Sequence, residues 1–180
     1  MLVPHFVRRH PGLKVRYETL VPSDVTRADG CAVTTPRRTA WDLARWCPLV
    51  EGVVAVDALA RRGAFDVADL LAMRVERPGA KRCRRLDRVV VLADPRAESP
   101  MESRPRVGLV REGLPPPEVQ YEVRDEYGFP LARVDLAYPA AKLAIEYDGG
   151  VHAEPTPNSS PATVDHDEKG ADDEFGGAGW

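Results

Sequence analysis

Cysteine is scarce in this chain: three residues in 180, at positions 31, 47 and 83, with no CxxC pair among them. An odd, scattered set excludes a disulfide framework and a thiolate zinc site. Long apolar runs are missing too, and nothing approaches the roughly 20 residues a membrane-spanning helix needs. No basic-then-apolar leader with a small-residue cleavage site is visible, so the expectation is a cytoplasmic protein with no membrane partner. Past His152 the large apolar side chains almost vanish. AEPTPNSSPATVDHDEKGADDEFGGAGW is rich in Pro, Gly, Ser and acid, and reads as a disordered tail over 153–180.

What is present suffices for a core. Hydrophobic residues make up 43% of the chain, enough for one ordinary domain, or for a small domain with appendages. The net charge of −3 hides an asymmetry. Residues 1–90 carry 17 Lys/Arg against 10 Asp/Glu, whereas 151–180 carry 1 against 7. A basic front half fits contact with a polyanion, while the acidic total argues against broad nonspecific binding to nucleic acid.

Along the chain, LKVRYETL alternates in part, SDVTRADG reads as a turn and CAVTT as a short strand. Thr35-Pro36 then opens a helix, Thr as N-cap and Pro at the first helical position. A second helix is expected over VEGVVAVDALARRG and a third from Asp66. A fourth, roughly 80–93, would place Lys81, Arg85 and Arg88 on one face. Those cations either meet nucleic-acid phosphates or form the wet side of the helix. Ser99-Pro100-Met101-Glu102 opens a further helix whose Glu102 has the position of a capping-box acid. Pro105 and Gly108 inside that helix predict a kink or fraying.

Residues 133–152, RVDLAYPAAKLAIEYDGGVH, read as two short strands around a Pro-Ala turn. Period-two alternation puts Val134, Leu136 and Tyr138 on one face of the first strand and Asp135 on the other. On the second, Leu143, Ile145 and Tyr147 oppose Lys142, Glu146 and Asp148. Three carboxylates thus converge, an arrangement that costs stability unless a cation or proton lies between them. An oxygen-only ligand set of this sort suits Mg²⁺ or Mn²⁺. The alternative is that Arg133 and Lys142 pair with these acids on a solvated sheet face. With PEVQYEVRD as a third strand and the helix from Ser99 laid across, 95–152 is expected to be an α+β unit.

AESPMES, RVDLAYP and LAIEYDGGVH together resemble the restriction-endonuclease-like PD-(D/E)XK nucleases, in the branch related to very-short-patch-repair endonucleases. The resemblance implies a metal-dependent DNA endonuclease, with Glu102, Asp135 and Glu146 holding Mg²⁺ or Mn²⁺. Asp148 and His152 would then position water or move a proton. Where many relatives keep a catalytic Lys this chain has Asp148. The family's further basic helix and strand after His152 are replaced by the acidic tail. VTTPRRTAWDLAR is similar to a segment of the same nuclease-like proteins, where it follows a winged-helix, antitoxin-like region related to the abortive-infection antitoxins. On this resemblance the chain divides into an antitoxin-like remnant (1–94), a partial endonuclease-like core (95–152) and the tail, truncated at both ends. It leaves a second expectation open: a DNA-binding or toxin-neutralising protein with no catalysis of its own. Nothing in the sequence fixes the oligomeric state.

Overall fold

The computed structural model describes residues 11–12 and 14–147. Asp148, His152 and the acidic tail lie outside the described residues. Among the described residues, five α-helices, one two-stranded and one three-stranded antiparallel sheet make up an α+β fold. Among the described residues no helix is long and apolar enough to cross a membrane.

Strands β1 (Val25–Ala28) and β2 (Cys31–Thr34) form a hairpin. Asp29 and Gly30, at φ 48° and 77°, supply the two positive-φ positions that a tight hairpin turn needs. The turn expected over 23–30 therefore includes a strand. Residues 14–20, expected to alternate as a strand, have no regular secondary structure and lie outside both sheets.

The helices follow the expected order: α1 (Pro36–Trp46), α2 (Leu49–Ala60), α3 (Asp69–Glu76) and α4 (Cys83–Leu92). Thr35 caps α1, its hydroxyl accepting the Arg38 amide, and Pro36 occupies the first turn where a missing N–H costs nothing. Their apolar faces close one core around Trp41, Val53, Val56, Leu70, Leu86 and Val89. Gly52 lets three helices approach. A Cβ there would lie 3.1 Å from Val89 Cγ2 and 3.6 Å from Ala44 Cα.

Helix α5 (Pro100–Arg111) spans two cores. Val107 is fully buried in the helical core, while Leu109 packs on the smaller cluster of Ala97, Val119 and Leu136. That second core belongs to the sheet β3-β4-β5, of β3 (Glu118–Arg124), β4 (Pro130–Tyr138) and β5 (Leu143–Ile145). Val134 and Leu136 face inward from β4 as expected, but β5 contributes only Ile145. Leu143 and Tyr147 are each half exposed, so the apolar face expected of the second strand is mostly wet. α5 runs unbroken through Pro105 and Gly108. Burial on two cores offsets the propensity that predicted fraying.

Candidate functional site

The expected acidic site is resolved into separate roles. Glu102 is buried, and one of its carboxylate oxygens accepts both the Glu98 amide and Gln120 Nε2, each at 2.7 Å. Ser99 Oγ in turn accepts the Glu102 amide at 3.2 Å, so this acid stitches the start of α5 to β3. Gln120 reaches it from a left-handed backbone, φ 54°, in mid-strand. Asp135 accepts the Tyr147 amide at 3.0 Å. Glu146, which continues the β4–β5 register opposite Asp135, is exposed and makes no hydrogen bond or ion pair among the described residues.

Arg133 pairs with Glu98 at 3.2 Å rather than with the strand acids. Lys142 falls in the turn at φ 51°, not on the strand face. Among the described residues no group of three or more His, Cys, Asp or Glu is placed to hold a metal ion. Two of the three acids each give one carboxylate oxygen to N–H donors. Asp148 and His152 are outside the described residues.

The helical half carries a denser arrangement. Arg38 and Asp24, each about 1% exposed, pair at 2.7 Å, and Arg77 joins Asp24 at 3.0 Å. Burial opposes ionisation of Asp24. The Val21 amide, Arg38 and Arg77 outweigh it and hold the carboxyl below its ordinary value. Arg45, also buried, bonds Glu18 at 3.1 Å and the Lys81 carbonyl at 2.8 Å. These pairs fasten the segment 14–21 and the loop before α4 onto α1.

Burial has the opposite result at Asp57 on α2. It pushes this carboxyl above the ordinary value, even though Ser103 Oγ at 2.7 Å and Arg106 at 2.6 Å both bond it. Arg106 also donates to the Leu92 carbonyl, so α2, α4 and α5 are joined through one buried group.

The basic stripe is shifted from its expected composition. Lys81 and Arg88 are exposed, but Arg85 turns back, donating to the Cys47 carbonyl at 2.8 Å and satisfying the end of α1. Arg84 is exposed on α4 one turn before Arg88, whereas Lys81 precedes the helix, and none of the three has a hydrogen bond or ion pair from its side chain among the described residues. What the sequence did not reveal is that Arg85 is spent on capping.

Trp46 lines a cavity with Lys81. Trp46 lies between the guanidinium groups of Arg16 and Arg82, 4.1 and 4.7 Å from its centroid. The indole Nε1 atoms of Trp41 and Trp46 are buried without an acceptor among the described residues.

Comparison with known proteins bears on the whole arrangement. Residues 3–90 match the family model described as the AbiEi antitoxin C-terminal domain. Two uncharacterised proteins of Mycobacterium tuberculosis, from strains CDC 1551 / Oshkosh and ATCC 25618 / H37Rv, are each 32% identical over 145 residues. The match covers 79% of this chain and 52% of each relative, so the chain spans about half the length of the curated relatives it matches. No solved structure matches. The family match corrects the nuclease expectation: the likeness it supports is to an antitoxin domain, and the endonuclease, hydrolase and magnesium assignments fall with the resemblance that carried them. The likeness read from VTTPRRTAWDLAR lies within the matched stretch.

Proposed function

From the likeness of residues 3–90 to an antitoxin domain, we propose that this chain is an antitoxin-like regulatory protein that acts by binding, with a toxin as protein partner and DNA as a second ligand. The observation that carries this reading is the extent of the match. It covers β1, β2, α1, α2, α3 and most of α4, the elements whose side chains close the larger core, and it includes the cations of the α4 stripe. A basic helix face supports backbone contact with nucleic acid, which positions a protein on DNA without reading sequence.

Duplex binding by the full chain, followed by fluorescence anisotropy against salt, tests the DNA part. Binding should persist in EDTA, and its logarithm should fall linearly with log salt. Each phosphate neutralised by a cation adds roughly 0.9 to that slope, so replacing Lys81, Arg84 and Arg88 together by Ala should reduce it by about 2–3. A slope unchanged by the triple substitution would remove α4 from the interface. The toxin part is tested by co-expression: growth arrest caused by a candidate toxin should be relieved by this chain, and the two should co-purify.

A further inference from the structure

At one end of the three-stranded sheet, the turn from β3 to β4 displays Tyr127, Phe129 and Leu131, which are 78%, 67% and 67% exposed. The backbone beneath them is fixed. Asp125 Oδ1 accepts the Tyr127 amide at 2.9 Å and the Phe129 amide at 2.8 Å, and Arg124 donates to the Gly128 carbonyl at 2.8 Å. The Asp125 amide to the Phe129 carbonyl and the Gly128 amide to the Asp125 carbonyl close the turn. Apolar anchors carried on an ordered backbone lose little entropy on docking.

At the other end of the sheet lies a groove of about 510 Å³. Leu109 on α5, Leu114 and Pro116 after it, and Tyr138, Leu143 and Ile145 give it an apolar lining. Its one charged lining residue, Glu118, is offset by Arg96, whose guanidinium Asp94 first and Glu118 with it hold charged. The stretch 148–180 is a poor occupant, since its large apolar residues, Val151, Val164, Phe175 and Trp180, are scattered among polar ones.

Register relates the two features. Tyr138 pairs with Leu143 at the groove, whereas Arg124 pairs with Pro130 at the turn. The length of β4 separates them by about 27 Å at roughly 3.3 Å per residue, so a chain cannot fill its own groove with its own turn. A two-fold axis that sets two β4 strands antiparallel brings each turn to the groove of the other copy, and the contact is made twice and closes. Charge agrees with this pairing. Arg124 and Asp125 are spent inside the turn, on Glu122, the Gly128 carbonyl and two amides. Glu126 on the turn and Lys142 beside the groove are exposed, and neither side chain has a hydrogen bond or ion pair among the described residues. We propose that this chain pairs with a second copy of itself, the Tyr127 and Phe129 turn of each copy seated in the apolar groove of the other, with Glu126 against Lys142. The pairing stands apart from the antitoxin reading, which rests on residues 3–90.

Sedimentation velocity on the full chain, taken up to millimolar concentration, tests it. The parent should pass from monomer to dimer and stop there. Phe129→Ser and Leu143→Asp should each weaken the dimer by about tenfold or more, while Val91→Ser, equally exposed but on neither surface, should leave it unchanged. Mixing the Phe129→Ser and Leu143→Asp chains should recover part of the association, because the mixed dimer keeps one sound turn facing one sound groove. Glu126→Lys and Lys142→Glu should each weaken the dimer by roughly fivefold, and the two changes in one chain should restore it. A parent that stays monomeric, growth beyond the dimer, a dimer indifferent to Phe129→Ser, no recovery on mixing, or no rescue by the double charge reversal would overturn the inference. A monomeric parent that loses a co-purifying toxin on Leu143→Asp would give the groove to a different protein and overturn it as well.

Discussion

Asp24 shows how much of the helical half depends on a single carboxylate. It is about 1% exposed, bonds Arg38 and Arg77, and accepts the Val21 amide that starts its own turn. Removing one member of a buried pair leaves an uncompensated charge, which costs about 3–5 kcal/mol. Asp24→Asn keeps the size and one acceptor, so a loss near the lower end, about 3 kcal/mol, is expected in urea unfolding. The pH dependence follows from the direction of the shift. Because the folded carboxyl sits below its ordinary value of 3.8, its contribution is fully present above that value. It is lost as pH falls through the lower, folded value. Asp57 works against it, since a carboxyl raised by burial favours folding only when protonated. Asp24→Asn should therefore flatten the acid limb of the stability curve below about pH 4, and a variant with the same limb as the parent would show that Asp24 titrates alike in both states.

At the scale of elements, the helices were legible because their signals are local. Thr35-Pro36 and Ser99-Pro100 mark helix starts through chemistry contained in a few residues, and Thr35 and Ser99 both serve as N-caps. The strand expected over the described residues 14–20 failed because partial alternation cannot tell a sheet strand from an irregular segment held by side chains, here Arg38 and Arg45. α5 was misjudged in the opposite sense: Pro105 and Gly108 are poor helix residues, yet the helix is held on both sides. It still carries their cost, which substitution can recover. A Cβ at Gly108 meets nothing within 4 Å, so Gly108→Ala should stabilise the chain by about 1 kcal/mol. At Gly52 the space is taken by Val89 and Ala44, and Gly52→Val should cost about 1–3 kcal/mol through overpacking. A shift of both midpoints in the same direction would mean that helix propensity, not packing, decides the outcome at Gly52.

For the molecule as a whole, the acidic residues that drew the sequence reading to 133–152 sit apart from the stretch that matches a family, which ends at residue 90. Alternation put Asp135 and Glu146 on one face, whereas β5 ends at Ile145, one residue before Glu146. It could not show that the Tyr147 amide bonds Asp135, or that Gln120 and Glu98 engage Glu102, because those bonds depend on how the chain folds back on itself. Long-range packing also sets the unit that can fold. The matched residues stop short of α5, yet Val107 completes the helical core, and Ser103 and Arg106 satisfy buried Asp57. A fragment ending at residue 93 would leave that carboxylate without three partners, the Asp94 amide, Ser103 and Arg106, and open the Val107 site to water. A fragment ending at residue 113 keeps these partners and Val107 and loses only the sheet. The longer fragment should unfold cooperatively in urea, and the shorter should be less stable by about 3 kcal/mol or more, given what an orphaned buried charge and a missing core residue each cost. Equal midpoints for the two fragments would show that α5 belongs with the sheet rather than with the helices.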